Sequence, residues 1–341
     1  MRQTGQADPD LLRRHVAALA GGPRGRRHTP RAMAEAEEYV AGELRAAGWD
    51  VFREPFDARL RVGSTDRQGH RAMPLKVRLH RGLSGANLRA ELPGAGTAAA
   101  PGGAGAPTLV VGAHLDTVRG SPGADDNASG VAVVLETARL LGGLASRPAV
   151  TLMIFDMEEL GLIGSRAAVK RLLRTGRAVG GMICLESVGF FSTEPGSQRL
   201  PAGAGLVMPE AVETVRRSGF RGDFTLVVHR RSSRTLAGTW SRAAAAASPA
   251  LPAVLLRDPR PDGPLGAVAG LAVPALGNLD RSDHSPFWNH AIPAVMLTST
   301  ANFRNERYHR PGDTPDTLDY ERLAAVATAT ATTAAAWPGG R

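Results

Sequence analysis

Three apolar runs of strand length in the middle of this chain each end in side chains that can hold a cation. They are TLVVGAH (108–114), AVTLMIFDMEE (149–159) and AVGGMICLES (178–187). Two stretches of helical period, ASGVAVVLETARLL (128–141) and LIGSRAAVKRLLRTG (162–176), lie between them. Apolar runs without strict alternation suit strands buried on both faces. Their alternation with amphipathic helices predicts a mainly parallel sheet covered on both sides.

The flanking sequence extends this α/β reading. DPDLLRRHVAALAG (8–21) reads as a helix opened by Asp8 or Asp10, with Gly21 past its end. TPRAMAEAEEYVAGELRAAGW (29–49) reads as a second, with Thr29 as cap and Pro30 at its first position. Together they form an N-terminal helical segment, 8–48. DVFREPF (50–56) is a strand, and 58–92 reads as strands with a turn. Residues 93–107 are a low-complexity loop, and 192–231, rich in Gly, Pro and Arg, is an excursion from the sheet that contributes to a substrate pocket. Helix signals return at 232–247, 282–291 and 317–336, and strand signals at 252–257 and 292–300. The expected architecture is one domain over 1–341, a three-layer α/β/α sandwich around a mainly parallel mixed sheet.

Ligand sites in open α/β sheets gather at the carboxyl ends of the strands. Here those ends carry His114 with Asp116, then Asp156 with Glu158 and Glu159, then Glu186. The loop SPGADDNASG adds Asp125 and Asp126 at the start of a helix, and the polar loop RYHRPGDT carries His309. Singly, each has an ordinary explanation: a strand-end histidine is structural, Asp or Asn before a helix is a cap, and paired glutamates are a solvated face. The joint pattern is different. Carboxylates at several strand ends of one sheet repel across a shared crevice unless a cation lies between them. A His, Asp and Glu set without Cys suits Zn²⁺, with Mn²⁺ or Co²⁺ as substitutes.

The motifs GAHLDT, PGADDNASGVAV, FDMEELGLIGS, LESVGFF, SDHSPFWNHAIPAVM and YHRPGDTPDTLDY resemble, in order, those of the co-catalytic di-zinc exopeptidases. That family includes bacterial leucyl aminopeptidase, aminopeptidase S, aminopeptidase Y and glutamate carboxypeptidase, in metallopeptidase clan MH. The resemblance covers roughly residues 108–320. It implies two Zn²⁺, with His114 and Glu186 on one, Glu159 and His309 on the other, and Asp126 bridging. Many relatives have Asp where Glu186 stands. It implies Glu158 as general base, and Asp116 as the carboxylate that accepts the second ring N–H of His114. It also implies a cis peptide at Asp126–Asn127. Tyr308 matches a tyrosine that donates to the oxyanion in some relatives. Asp283 and His284 match a supporting motif that braces the site or caps a helix, and Asp313 braces the His309 loop.

The function so implied is hydrolysis of the N-terminal peptide bond of peptides or amino-acid amides, by a metal-bridging hydroxide and Glu158. The chain resembles the short bacterial aminopeptidases more than the multi-domain glutamate carboxypeptidases. Within the same fold the rivals are a carboxypeptidase and a single-zinc glutaminyl cyclase. A non-catalytic binding relative is opposed by the intact Glu158, Glu159 and both histidines.

Composition bears on partners and compartment. The net charge of +9 would suggest nucleic acid, but the arginines are scattered and only two lysines, Lys76 and Lys170, occur, so no nucleic-acid partner is expected. Arg230, Arg231 and Arg234 read as a solvated run. The single cysteine, Cys184, excludes an internal disulfide and a CxxC site, and reads as a small buried residue. No run approaches the roughly 18 apolar residues of a membrane span, and the apolar run near the N-terminus is broken by Arg13, Arg14 and His15. The expectation is a cytoplasmic protein.

Overall fold

Residues 4–63, 78–94, 106–272 and 274–337 are described by the computed structural model. Helix α1 (Pro9–Leu19) starts where the Asp8 carboxylate accepts from the Asp10 and Leu11 amides, which have no partner in an earlier turn. Helix α2 (Pro30–Ala46) buries Met33, Ala36, Val40 and Leu44. Thr29 does not cap it. Its hydroxyl donates to the Pro23 carbonyl at 2.8 Å and accepts from the Gly25 amide at 3.0 Å, closing the preceding turn instead. Strands β1 (Asp50–Gly63) and β2 (Arg78–Glu91) pair antiparallel, Asp50 opposite Glu91. The low-complexity residues 95–105 lie outside the described residues.

Strand and helix then alternate through β3 (Thr108–His114), α3 (Gly130–Gly142), β4 (Val150–Phe155), α4 (Ile163–Arg174) and β5 (Val179–Glu186). Two short helices, α5 (Ala204–Val207) and α6 (Pro209–Arg217), follow. The chain continues through β6 (Thr225–His229), α7 (Arg234–Ala245), β7 (Ala253–Arg257), α8 (Pro264–Ala272), α9 (His284–Asn289), β8 (Ala294–Thr298) and α10 (Tyr320–Ala335). The eight strands form one sheet in the order β1-β2-β4-β3-β5-β8-β6-β7. Its centre, β4-β3-β5-β8, is parallel. β2 is antiparallel to β4, and β6 is antiparallel to β8 while pairing parallel with β7.

The structure departs from the expected excursion at its end. Thr225–His229 return to the sheet as β6 between β8 and β7. The run TLVVH is β-branched and apolar, but at five residues, among arginines and glycines, it is too short to stand out by periodicity.

Alternating side chains of the central strands feed two cores. Val111 and Ile183 face one, with residues of α1, α2, α3, α7 and α10. Val110 and Cys184 face the other, with residues of α4, α6 and α9. The result is the three-layer α/β/α sandwich. No helix of the described residues is long and apolar enough to cross a membrane.

Candidate metal centre

The chain goes from β3 to β4 through α3 on one face and from β4 back past β3 to β5 through α4 on the other, which opens a crevice at the carboxyl ends of the strands. His114 is the last residue of β3 and Glu186 the last of β5. Glu158 and Glu159 follow β4 through a turn that gives Met157 a φ of 56°. Asp126 lies in the turn before α3, and its peptide bond to Asn127 is cis. His309, at φ 60°, lies in the loop between β8 and α10.

The structure brings His114, Asp126, Glu159, Glu186 and His309 into one cluster. It forms two triads that share Asp126: His114, Asp126 and Glu186, and Asp126, Glu159 and His309. Within each, the candidate ligand atoms lie within 4.8 Å of one another. His114 Nε2 is 3.2 Å from Asp126 Oδ1 and 3.3 Å from Glu186 Oε2. His309 Nε2 is 2.9 Å from Asp126 Oδ2 and 3.3 Å from Glu159 Oε1. Ligands about 2.0–2.1 Å from a tetrahedral ion stand about 3.3 Å apart, so these separations fit zinc.

The hydrogen bonding carries the same message. His114 Nε2, both Asp126 carboxylate oxygens, Glu159 Oε1 and His309 Nε2 are buried, face one another and have no hydrogen-bond partner. Buried polar atoms are normally paired, and five lone-pair donors converging without protons to share fit cations between them. In the chain alone the imidazoles must supply the positive charge. Burial opposes charge on His309, but Glu159 and Asp126 outweigh it and raise its pKa to about 10. Burial also acts to raise the Asp126 pKa, yet His114 and His309 hold it below the carboxylate range.

Glu158 stands beside the triads with its carboxyl buried. Burial pushes its pKa well above the carboxylate range; His114 opposes this, and Glu186 and Glu159 add to it. Tyr308 stacks on the ring of His309, with centroids 3.8 Å apart and planes at 17°.

Asp116 departs from its expected contact. The His114 Nδ1 atom meets the Asp116 backbone carbonyl at 3.0 Å, while the carboxylate Oδ1 stands 3.7 Å away. That carboxylate accepts instead from the amides of Glu158 at 3.0 Å and Glu159 at 3.2 Å. With its carboxylate taken up by these two amides, Asp116 is left its carbonyl to offer the ring. Asp116 therefore orients both the histidine and the glutamate pair. Of the two roles expected for Asp283, the cap is not made, since its backbone is already helical; its buried carboxylate lies within electrostatic reach of His114 and Glu186. Burial raises its pKa to about 7, with His114 opposing.

Several supporting contacts go beyond what the sequence shows. Asp125 accepts from the Gly189 and Phe190 amides and from Asn305 Nδ2. Asn127 Oδ1 accepts from Gly130 N, capping α3, and from Ser187 N. The two side chains thus staple the turn before α3 to the turn after β5. Ser282 Oγ donates to Glu186 Oε2 at 2.7 Å and lies 3.3 Å from the buried Cys184 sulfur. The expected brace, Asp313, accepts from the Asp125 and Asp126 amides at 2.9 and 3.1 Å. Gly123 precedes this turn at φ 64°, where an added Cβ would come within 2.3 Å of the Asp126 carbonyl oxygen. Asp156 faces away from the cluster, in an ion pair with Arg26.

A pocket of about 880 Å³, counted with its open mouth, adjoins the cluster at Glu186 and Tyr308. Met208, Phe224, Leu256 and Met296 build its apolar wall, so the segment 192–231 does contribute to it.

Residues 96–226 and 269–334 match the model described as "Peptidase family M28". The "Uncharacterized protein YfbL" of Escherichia coli K12 is 35% identical over 242 residues, 66% of this chain and 65% of that one. The "Probable lipoprotein aminopeptidase LpqL" of Mycobacterium tuberculosis is 40% identical over 125 residues, 34% of this chain and 25% of that one. The match thus spans just under two thirds of the first relative and a quarter of the second. Among solved structures, BSAP, a zinc aminopeptidase from Bacillus subtilis, superposes with a TM-score of 0.65 at 16% identity, over 97% of this chain and 95% of that chain. At that identity the likeness concerns the fold.

Proposed function

This chain belongs to peptidase family M28, and from that premise we propose that it is a zinc-dependent aminopeptidase acting on peptides with an apolar N-terminal residue. The observation that carries the reading is the pair of triads joined by Asp126, with their unpartnered atoms, next to Glu158 and an apolar pocket.

His114, Asp126 and Glu186 would hold one zinc ion, and Asp126, Glu159 and His309 the second. Two such ions would supply Lewis-acid polarisation of the scissile carbonyl and a water of lowered pKa. Glu158 removes the proton of the attacking water and returns it to the leaving amine, a role its raised affinity for a proton suits. The Asp116 carboxylate accepts from the Glu158 amide and so holds Glu158 in place, and the Asp116 backbone carbonyl orients His114. Tyr308, its ring stacked against His309, would donate to the developing oxyanion.

The choice of chain end follows from charge. Asp116, Asp126, Glu158, Glu159 and Glu186 are buried acidic groups at or beside the two triads, while Arg281 stands at the pocket side of the crevice. Away from Arg281, this acidic lining favours an ammonium group near the scissile bond over a carboxylate. The N-terminal side chain then enters the pocket between Met208 and Phe224.

The test is hydrolysis of aminoacyl-anilides beside N-acetylated peptides, with and without zinc. Zinc-dependent release from Leu and Met anilides, with the acetylated peptides spared, is expected. Equal cleavage of blocked and free peptides would overturn the aminopeptidase assignment and leave the metal centre standing.

A further inference from the structure

Two arginines stand at the pocket mouth, Arg199 and Arg281, and they are not equivalent. Arg199 is neutralised: Nη1 pairs with Glu306 Oε1 at 2.7 Å and Nη2 donates to the Asn302 carbonyl at 2.9 Å. Arg281 has only a neutral partner, donating from Nη1 to the Asn302 side-chain oxygen at 3.3 Å. Among the described residues it forms no ion pair. Its guanidinium lies within electrostatic reach of Tyr308, Glu186, Glu158 and Asp126, so it faces the crevice. It is also solvent-exposed, so a ligand can approach it.

An unpaired guanidinium at the lip of an apolar pocket is a receptor for a planar anion. Its fork matches a carboxylate with two parallel N–H donors. The anion has no place on the pocket floor, where Phe224, Leu256 and Met296 would strip its water without replacing it. It belongs at the rim, one residue beyond the bond being cut. In a dipeptide the two charged ends lie within about 7 Å of each other, so an ammonium group in the carboxylate-rich crevice leaves the far end near Arg281.

We propose that Arg281 is a specificity residue that binds a carboxylate on the leaving side of the substrate. The proposal rests on the aminopeptidase reading above and narrows it to acidic leaving residues. The carboxylate has two sources, the free C-terminus of a dipeptide or the side chain of Asp or Glu after the scissile bond. In the first case the protein is a dipeptidase.

The experiment compares Leu-Ala, Leu-Ala-NH₂ and Leu-Asp-NH₂ as substrates of the zinc-loaded protein and its Arg281→Gln and Arg281→Lys variants. A charge-assisted pair of this kind corresponds to about 10- to 100-fold in kcat/KM. We expect that advantage of a carboxylate substrate over Leu-Ala-NH₂, expressed mainly in KM. In Arg281→Gln the ratio falls to about one, and in Arg281→Lys it is intermediate. A gain for Leu-Ala alone identifies the C-terminus as the source, and a gain for Leu-Asp-NH₂ identifies the side chain. A ratio near one in the wild type, or one unchanged by Arg281→Gln, overturns the proposal.

If the loaded protein cleaves none of the three, the aminopeptidase reading fails, and calorimetric binding of Leu-Ala against Leu-Ala-NH₂ decides the Arg281 claim separately. Preference for Leu-Ala that is lost in Arg281→Gln sustains it, and equal affinities overturn it.

Discussion

The Ser282 hydroxyl donates to Glu186 Oε2 at 2.7 Å, and that same oxygen faces His114 Nε2 at 3.3 Å. Ser282 comes from the segment just before α9, so a residue almost a hundred positions downstream fixes the rotamer of a strand-end carboxylate. Such outer contacts typically contribute 10- to 100-fold to metal affinity. Ser282→Ala should weaken one of two zinc ions by about that factor in competition with a chelator. Two unchanged zinc affinities would reduce the contact to packing.

Glu158 and Glu159 are adjacent but differently placed: His309 Nε2 lies 3.3 Å from Glu159, while Glu158 belongs to neither triad. Glu158→Gln keeps shape but cannot take a proton. It should retain two zinc ions while kcat falls by about 10²- to 10⁴-fold. Glu159→Gln should lose one zinc ion by elemental analysis. Metal loss from the first variant, or two ions and full activity in the second, would reverse the roles.

Gly123 holds φ at 64°, and a methyl group there would meet the Asp126 carbonyl oxygen at 2.3 Å. Gly123→Ala combines a left-handed backbone with a clash against fixed main chain, a cost of about 2–3 kcal/mol. Chemical denaturation should show that loss. Because the displaced atom belongs to Asp126, zinc content should fall too. Wild-type stability would show that the turn relaxes freely.

His284 supplies the pH test. Its Nε2 meets the Leu279 carbonyl at 2.7 Å, its ring stands edge-on to Trp288, and burial lowers its pKa to about 4 from 6.5. The unfolded chain therefore binds a proton here at a pH where the folded chain does not. The contribution is complete above about pH 6.5 and is lost as pH falls toward 4, a span worth about 3 kcal/mol. Asp283, with its raised pKa, acts in the opposite sense, so the readout is a difference. Urea unfolding of wild type and His284→Gln should converge in stability as pH drops from 7 to 4.5. Parallel curves would show that His284 titrates alike in both states.

The parts legible in the sequence were those set by local pattern. Buried strands announce themselves by apolar runs, and a parallel sheet puts their last residues at one edge, which is why His114, Glu159 and Glu186 could be grouped before any coordinates. What stayed hidden depends on how distant segments meet. The motif pairs the Asp116 carboxylate with His114, but the Glu158 and Glu159 amides, brought from β4, take that carboxylate and leave the ring the carbonyl. Ser282 and Arg281 sit in the motif RSDH, yet nothing local says that one reaches β5 and the other the pocket mouth. β6 was missed because five residues carry too little periodicity, and the pairing that makes them a strand comes from β8 and β7. Asn127 read as one of three capping candidates, and only the fold shows that it also holds Ser187.

The five converging side chains are drawn from positions as far apart as 114 and 309, and this gives the centre a birth order. A ribosome that has released the chain through β7 displays His114, Asp126, Glu159 and Glu186, but neither β8 beside β5 nor the loop that brings His309. One triad lacks its imidazole and the pocket lacks Met296 and Tyr308. The nascent polypeptide thus emerges without the complete cluster. Closure of the cluster therefore waits on the stretch from β8 to α10.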